Sequence, residues 1–370
     1  MRIAQLVTSY EPRLGGVETH VGRLARGCAD AGDKVTVLTH RVAGAPGEER
    51  AGGVRILRFP LTVASANYPL SLPLFRYLDA HRADFDLVHA HSYHTLVAHA
   101  AVNSRLPFVF TPHYHGTGHT PFRALLHHVY RPAGARSFRA AAAVICVSDA
   151  ERALVAGDFP AVASKAITIP NGTDVRLPAA TDGQFSGAPV PAGAARAAAP
   201  VVLAIGRLER YKNVDLIIDA FRALPGEARL VVVGDGPDRA RLERHAAGDG
   251  WPVCFTGRVP DHAVGEWLAR ATVVTSASDH EAFGMIVAEG LAGGAQVVAS
   301  AIPAHAELAR RAGPGAPVTL IDPRLPGDFT AALAAALAAG RVPPGAVRLP
   351  SWPDVVERTR EVYARARETT

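Results

Sequence analysis

Short runs of Val, Ile and Leu alternate along the chain with longer stretches in which apolar residues recur at helical spacing. Such alternation is typical of βα units and parallel sheets. In the first half it predicts strands at 2–8, 34–39, 54–58, 86–90, 107–111, 143–147 and 166–169. In the second half it predicts strands at 201–205, 229–233, 253–256, 272–275 and 296–299. We therefore expect an α/β protein made of two doubly wound, Rossmann-like domains.

The alternation stops after Arg176 and resumes at Val201. The sequence between them is mostly Pro, Ala and Gly without an apolar period, which indicates a linker. We predict an N-terminal domain over 1–178, a linker over 179–200, a C-terminal domain over 201–348 and a C-terminal helix within 349–370. A chain of 370 residues also exceeds the size of most single cores. Ligands of such domains bind at the carboxyl ends of the strands, so a cleft between the two halves is the expected site.

Composition narrows the class of protein. The net charge of +5 is spread along the chain, without the basic stripe and interleaved aromatics of a nucleic-acid binder. Three distant cysteines among apolar or small residues predict buried thiols in a reducing compartment. The chain start lacks a signal-peptide pattern, and the longest apolar run, 140–147, is too short to cross a bilayer. We therefore expect a cytoplasmic protein.

Two basic residues follow the first predicted strand of the second half. Arg207 lies directly after Gly206, and Lys212 comes five residues later, before a predicted helix. An Arg and a Lys at such a turn can converge on one anionic group such as a phosphate. Only three of the 39 basic residues are Lys, which makes Lys212 informative. The alternative is a pair of solvated loop cations.

Two glutamates, Glu281 and Glu289, follow the predicted strand 272–275 and are eight residues apart. Phe283, Gly284 and Met285 open a helix between them. One acid at the helix mouth and the other two turns deeper would hold two ends of a long ligand, whose middle faces the helix N-terminus.

Two glycine motifs are candidates for binding phosphate. Gly15-Gly16 before the first helix fits either a phosphate site or an ordinary helix-start turn. Gly234-Asp235-Gly236 has Arg239 where a dinucleotide motif needs its third glycine, which argues against NAD.

Seven motifs in order resemble the GT-B glycosyltransferases of family 4. They are Gly15-Gly16, the Asp-Leu-Val-His-Ala-His of 86–91, Thr111-Pro112-His113, the Val-Ser-Asp-Ala-Glu of 147–151, the Ile-Pro-Asn-Gly-Thr-Asp of 169–174, Gly206-Arg207-Leu208 with Lys212, and Glu281 with Glu289. The resemblance spans nearly the whole chain. It implies two Rossmann-like domains that face a central cleft, with the C-terminal helix crossing back to the first domain.

The resemblance implies a retaining transfer from a nucleotide-diphosphate sugar, with UDP or GDP, that gives an α-glycoside. Arg207 and Lys212 would bind the diphosphate with help from Gly15 and Gly16, and Glu281 would hold the transferred sugar. His113 would contact the sugar beside the reacting carbon and completes the implied catalytic set. Further donor contacts fall on Glu289 at the ribose and on Arg258, Val259, Phe283, Gly284, Met285 and Ile286.

The acceptor is predicted to lie on the first domain, lined by Glu11, His115, His119 and Asn171. A small soluble metabolite or natural product is the expected acceptor, and a membrane lipid or cell-envelope glycan is the alternative. The basic stretch 121–139 would then dock on an anionic membrane or form a solvated face. Pro132 and Gly134 are predicted to interrupt any helix there. A non-catalytic nucleotide-sugar-binding protein is the alternative from another class, and the oligomeric state is left open.

Ten of the 16 histidines lie between His81 and His128. His89 with His91, and His113 with His115, offer metal ligands, but no Cys or Glu completes a set. Asp84-Phe85-Asp86 spells a metal signature of the other glycosyltransferase fold, yet it precedes a strand instead of following one. We therefore expect no metal and no other cofactor.

Overall fold

The computed structural model describes residues 1–12, 15–65, 68–116, 121–173, 199–248 and 252–368. It divides into two compact units, one of Met1–Gly172 with Pro350–Thr370 and one of Thr173–Leu349. Residues 179–198 of the predicted linker, and His119, lie outside the described residues.

The first unit is built on an eight-stranded sheet. Its strands are β1 Arg2–Leu6, β2 Lys34–His40, β3 Glu48–Ala51, β4 Val54–Phe59, β5 Leu87–His91, β6 Phe108–Thr111, β7 Ala143–Cys146 and β8 Ala166–Thr168. The order across the sheet is β3-β4-β2-β1-β5-β6-β7-β8, with all neighbours parallel except β3 and β4. The strand β3 was not predicted, because its residues Glu-Glu-Arg-Ala carry no apolar pattern.

Within the described residues, six α-helices cover this sheet. They are α1 Gly16–Asp30, α2 Leu72–Ala80, α3 Val97–Ser104, α4 Pro121–Ala140, α5 Asp149–Asp158 and the C-terminal α12 Trp352–Glu368. The last of these packs on α1, where a Cβ on Gly27 would come within 2.4 Å of Val356 Cγ2. An ion pair of 2.7 Å from Arg360 to Asp33 supports the same contact. The C-terminal helix thus belongs to the first unit, as the resemblance implied.

The prediction that Pro132 and Gly134 interrupt the helix is wrong, because α4 runs through both residues. A proline inside a helix costs about 3 kcal/mol. Tertiary packing offsets this cost: Tyr130 and Phe138 on α4 are 7% and 0% exposed, and each buried aromatic contributes roughly 1.5–3 kcal/mol. Gly134 is needed for that packing, since a Cβ there would come within 2.3 Å of the Tyr93 ring.

The second unit is built on a six-stranded parallel sheet. Its strands are β9 Val201–Ile205, β10 Arg229–Val233, β11 Val253–Gly257, β12 Val273–Ser276, β13 Gln296–Ser300 and β14 Val318–Ile321, in the order β11-β10-β9-β12-β13-β14. Its helices are α6 Val214–Arg222, α7 Arg239–Ala246, α8 Asp261–Arg270, α9 Met285–Ala292, α10 Pro303–Ala312 and α11 Pro326–Ala339. The strand β14 was not predicted; it is a short, half-exposed edge strand. Both units therefore have the doubly wound, Rossmann-like architecture that the sequence predicted.

Three smaller expectations can be compared with the structure. All three cysteines are buried and free, as predicted. Asp86 accepts hydrogen bonds from the backbone N–H of Arg2 at 2.8 Å and from its guanidinium at 2.7 Å, which is a structural role. Among the described residues, no helix is both long enough and apolar enough to span a bilayer.

Candidate active site

The second sheet has a switch point between β9 and β12. The chain leads from β9 to β10 and β11 on one side, and β12 starts the other side, so the loops after β9 and β12 diverge and leave a crevice. Gly206, Arg207 and Lys212 from the first loop line one cavity together with Ser276 and Ser278 from the second. The cations predicted at a strand end and the loop that leads to Glu281 therefore lie at one edge of this sheet.

The Gly234-Asp235-Gly236 motif supports this edge by close packing. A Cβ on Gly234 would lie 1.9 Å from the Gly206 carbonyl oxygen, and one on Gly236 would lie 2.3 Å from the Leu208 carbonyl oxygen. The two glycines thus let the loop after β10 lie directly on the loop that carries Arg207.

Lys212 and Glu281 form an ion pair, and each side chain is 18% exposed. Burial by itself would lower the pKa of Lys212, but the Glu281 carboxylate raises it above its usual value. Burial would raise the pKa of Glu281, but the charge and hydrogen bond of Lys212 lower it below its usual value. Ser278 Oγ donates a further hydrogen bond of 2.9 Å to Glu281. Both groups are therefore charged at neutral pH.

Asn213 fixes the turn that presents Lys212. Its backbone is left-handed, with φ of 48°, a conformation that Asn tolerates better than most residues. Its side-chain amide donates to the Ala277 carbonyl at 3.0 Å and to Asp279 Oδ1 at 2.9 Å. These bonds tie the turn after β9 to the loop after β12. Arg207, by contrast, is 64% exposed and pairs with Glu209 at 3.0 Å.

The helix α9 begins at Met285, after Gly284 with φ of 91°. A Cβ on Gly284 would lie 2.8 Å from the His305 ring, so the helix start lies against this histidine. Glu289 is four residues into the helix, about one turn and not the two that the sequence suggested. Ile286 lies in the first turn, whose N–H groups favour an anion, and Phe283 is buried just before it.

Arg258 and Val259 follow β11 at the same edge of the sheet. The Arg258 side chain is exposed and Val259 is buried. The structure thus places both at a strand end, two strands away from β9.

The first sheet has its own switch point, between β1 and β5. Three histidines gather at this edge: His20 from α1, His91 at the end of β5 and His113 after β6. Their ring centroids are 5.0 to 5.9 Å apart. Burial lowers the pKa of His20 to about 4 and the pKa values of His91 and His113 well below their usual value. All three imidazoles are therefore neutral at pH 7.

His113 has a left-handed backbone with φ of 46°, and a buried carboxylate holds the residue after it. Glu151 accepts hydrogen bonds from the backbone N–H of Tyr114 and, at 2.6 Å, from that of Val147. Burial raises the pKa of Glu151 to about 8, although both backbone hydrogen bonds favour its charged form. Glu151 thus joins the loops after β6 and β7.

The remaining predicted residues of this unit are more scattered. Asn171 Oδ1 accepts a 2.8 Å hydrogen bond from His20 Nδ1 and so lies at the same edge as the three histidines. His115 stacks on His94 with centroids 5.0 Å apart. Glu11 is ion-paired with Arg26 at 2.8 Å over α1, and no described contact brings it to the histidines.

The two glycines at the start of α1 differ. A Cβ on Gly15 would meet the Glu18 carboxylate at 2.4 Å, whereas no described atom lies within 4 Å of a Cβ position on Gly16. Of the two glycines, Gly16 is thus the one with open space beside it among the described residues.

Comparison with known proteins gives two family matches: Glycosyltransferase Family 4 over residues 14–177, and Glycosyl transferases group 1 over residues 199–339. A GDP-mannose-dependent alpha-mannosyltransferase of Mycobacterium tuberculosis is 31% identical over all of this chain and 98% of its own. The chain belongs to the family 4 glycosyltransferases.

A second relative is similar over a shorter part. A GDP-mannose-dependent alpha-(1-6)-phosphatidylinositol dimannoside mannosyltransferase, also of Mycobacterium tuberculosis, is 46% identical over 107 residues, which cover 28% of each chain. Among solved structures, sucrose-phosphate synthase from Thermosynechococcus elongatus aligns over the full length of both chains with a TM-score of 0.74 and 22% identity. That likeness shows the GT-B fold.

This family 4 glycosyltransferase is therefore an enzyme that uses a nucleotide-sugar donor, and the alternative of a non-catalytic binding protein is wrong. Sequence reasoning missed two residues of the site. His20 comes from a helix, and its only signal was its position one turn after Gly16. Glu151 lies within the Val-Ser-Asp-Ala-Glu motif of 147–151, and its signal was Ser148 three residues earlier, a helix-capping pattern.

Proposed function

We propose that this glycosyltransferase moves mannose from GDP-mannose to a hydroxyl of its acceptor with retention, giving an α-mannoside, and that it needs no metal for the transfer. The observation that carries the proposal is the charged Lys212–Glu281 pair beside Arg207 at the switch point of the second sheet. The full-length relative, a GDP-mannose-dependent alpha-mannosyltransferase, supports the choice of donor.

In the proposed reaction the bond between the anomeric carbon and the phosphate oxygen breaks, and its electron pair stays on the diphosphate. The acceptor oxygen forms a bond to the same face of the anomeric carbon. The departing phosphate oxygen takes the acceptor's proton. The net change is exchange of one glycosyl–oxygen bond for another, so no oxidant or reductant is required.

Negative charge grows on the diphosphate and positive charge on the sugar ring as this bond breaks. Lys212 and Arg207 would stabilise the negative charge on the diphosphate, and Glu281 would hold the sugar hydroxyls. A preorganised donor at developing charge is worth about 3–4 kcal/mol, or 100- to 1000-fold in turnover. His113, neutral because burial lowers its pKa, would accept a hydrogen bond from the sugar instead of adding a positive charge beside the reacting carbon.

A panel of GDP-mannose, UDP-glucose and dTDP-glucose in a thermal-shift assay tests the donor. A ligand at 100 times its Kd stabilises the native state by about 2.7 kcal/mol. We expect GDP-mannose to give the largest shift and Lys212→Ala to abolish it. Lys34→Ala is the matched control, since Lys34 is exposed at the start of β2. A larger shift with a UDP- or dTDP-sugar would refute GDP-mannose as the donor. An unchanged shift in Lys212→Ala would refute the assignment of Lys212 to the donor site.

For the acceptor we propose a small soluble hydroxyl compound and a cytoplasmic enzyme. A lipid acceptor at the inner membrane face is the second candidate. It is favoured by the 46% identical segment shared with a phosphatidylinositol dimannoside mannosyltransferase and by Arg131, Arg136 and Arg139, all exposed on α4.

Sedimentation with vesicles of phosphatidylglycerol and phosphatidylcholine separates the two. Binding that is lost in Arg131→Gln/Arg136→Gln but kept in Arg310→Gln/Arg348→Gln, a control pair of exposed arginines on the second unit, would favour the lipid acceptor. No sedimentation of the wild-type chain would favour the soluble acceptor.

A further inference from the structure

Three buried ring nitrogens at the switch point of the first sheet have no hydrogen-bond partner in the part of the chain that the structure describes. They are His20 Nε2, His91 Nδ1 and His113 Nε2. The rings of His20 and His91 are 2% and 0% exposed. Each of the three rings contributes one nitrogen to a group whose members all lie within 4.8 Å of one another.

The hydrogen bond at the other ring nitrogen of His20, Nδ1, determines its tautomer. His20 Nδ1 lies 2.8 Å from Asn171 Oδ1. An amide oxygen can only accept, so Nδ1 carries the ring proton. His20 Nε2 is then left with a lone pair.

The tautomer of His91 follows from its contact with Gln5. His91 Nε2 lies 2.7 Å from Gln5 Oε1, and Gln5 Nε2 donates to the Tyr363 hydroxyl at 2.9 Å. The same hydroxyl shares a 2.7 Å hydrogen bond with His89 Nδ1. Because Gln5 Oε1 can only accept, His91 Nε2 carries the proton, and His91 Nδ1 presents a lone pair.

Two or three lone pairs that face one another without a donor repel, unless a cation lies between them. In proteins, a histidine binds a transition metal through one nitrogen of its neutral imidazole. The other ring nitrogen donates a hydrogen bond to an acceptor such as an amide oxygen, which orients the ring. We propose that His20, His91 and His113 form a binding site for one divalent transition metal of the zinc class.

The geometry requires a modest contraction. Zinc–nitrogen bonds of about 2.0–2.1 Å in a tetrahedron place neighbouring ligand nitrogens roughly 3.4 Å apart. Ring movements of about an ångström close the described distances to that value. His113 is less buried than the other two rings, so the metal would enter, and keep its fourth position open, on the His113 side.

A metal at this site would not serve the transfer. His113 is the residue proposed to contact the sugar, and a bound metal would occupy its Nε2. The inference therefore goes beyond the proposed function: the site would inhibit, so micromolar Zn²⁺ would lower turnover and EDTA would restore it, while EDTA would leave the metal-free enzyme unchanged.

Cobalt gives a direct readout that needs neither donor nor acceptor. We expect the EDTA-treated, dialysed full chain to bind one Co²⁺ with the strong visible absorption of a four-coordinate site, and Zn²⁺ to displace it. His20→Gln and His91→Gln should each weaken Co²⁺ binding at least tenfold, with thermal unfolding used to verify that each variant is folded. His81→Gln, at an exposed histidine after α2, is the matched control and should bind as the wild type does.

Two results would overturn the proposal: a wild-type chain that shows no such absorption at 100 µM Co²⁺, or a folded His20→Gln that binds Co²⁺ as tightly as the wild type. If His91→Gln does not fold, Asn171→Leu replaces it. That variant removes the partner of His20 Nδ1 but none of the three ligands, and it should weaken binding less than His20→Gln. An effect equal to that of His20→Gln or larger would contradict the assignment of ligands.

Discussion

The Lys212–Glu281 pair offers a quantitative test of the proposed donor site in the absence of any ligand. We consider Lys212→Met and Glu281→Gln, which remove one charge each while nearly keeping side-chain length. Breaking a buried pair from one side costs about 3–5 kcal/mol, because the other charge is left uncompensated. Since both side chains are 18% exposed, we expect each single variant to lose about 3 kcal/mol of unfolding free energy.

The double variant leaves no uncompensated charge. Its loss should therefore be smaller than the sum of the single losses, with a coupling of roughly 1–3 kcal/mol. Urea unfolding of the four proteins at pH 7.5 without nucleotide sugar measures this. Losses that add within about 0.5 kcal/mol would refute the view that each charge is held by the other.

The pair also sets the sign of a pH effect. Lys212 lowers the pKa of Glu281 below its usual 4.5, so the pair's contribution is present above that pH and is lost as pH falls through the lower folded value. The stability difference between wild type and Glu281→Gln should thus shrink below pH 4.5. A difference that stays constant down to pH 3 would contradict the charged state of Glu281. In turnover assays each single variant should lose 100-fold or more, whereas Lys34→Ala should keep normal activity.

Three further predictions concern the packing around the two sites. Gly234→Ala should lower the unfolding free energy by about 2–4 kcal/mol, because the new Cβ adds a clash to a strained φ of 130°. Gly226→Ala, where φ is 96° and the space around the Cβ position is open, should lower it by about 1 kcal/mol. Equal losses in urea unfolding would contradict the close approach of Gly234 to Gly206. The difference in unfolding free energy between wild type and Glu151→Gln should decrease as pH rises from about 4.5 to 8. The reason is that a carboxyl whose folded pKa is raised contributes stability that is lost as pH rises through that pKa. Unfolding at pH 5, 6.5 and 8 measures the difference, and a constant value would contradict the raised pKa of Glu151. Tyr363→Phe should lower the unfolding free energy by about 1–3 kcal/mol, because the Tyr363 hydroxyl is hydrogen-bonded to buried side chains of β1 and β5. The control Tyr68→Phe should lower it by less than about 0.5 kcal/mol. Similar losses in the two variants would show that the buried hydrogen bonds of Tyr363 add no stability.

Most of the fold could be predicted because its strands are central and parallel. Such strands are buried on both faces and read as continuous runs of Val, Ile and Leu, as in 201–205 and 229–233. The two strands that were missed, β3 and β14, are edge strands with exposed or half-exposed residues. The continuous α4 could not be predicted either, because contacts distant in sequence outweigh the local effect of Pro132.

Position in the fold also decides which residues of the candidate site could be predicted from the sequence. Arg207, Lys212 and the loop of Glu281 directly follow strands of one parallel sheet, so their convergence at its edge follows from the strand order. The order itself was not visible in the sequence. His20 lies on a helix, and whether it faces the strand ends depends on how that helix rotates on the sheet. Glu11 shows the opposite case, since it follows β1 but turns to Arg26 instead of the histidines.

The two switch points differ in the kind of ligand that they can hold. The second sheet presents permanent charges, Lys212 and Arg207, which suit a diphosphate. The first sheet presents imidazoles that burial keeps neutral, so it offers lone pairs but no positive charge to an anion. A second phosphate is therefore a poor ligand for the histidine edge. The groups that match it are hydrogen-bond donors and metal ions, so the two ligands proposed for His113, a sugar hydroxyl and a divalent transition metal, would compete for it.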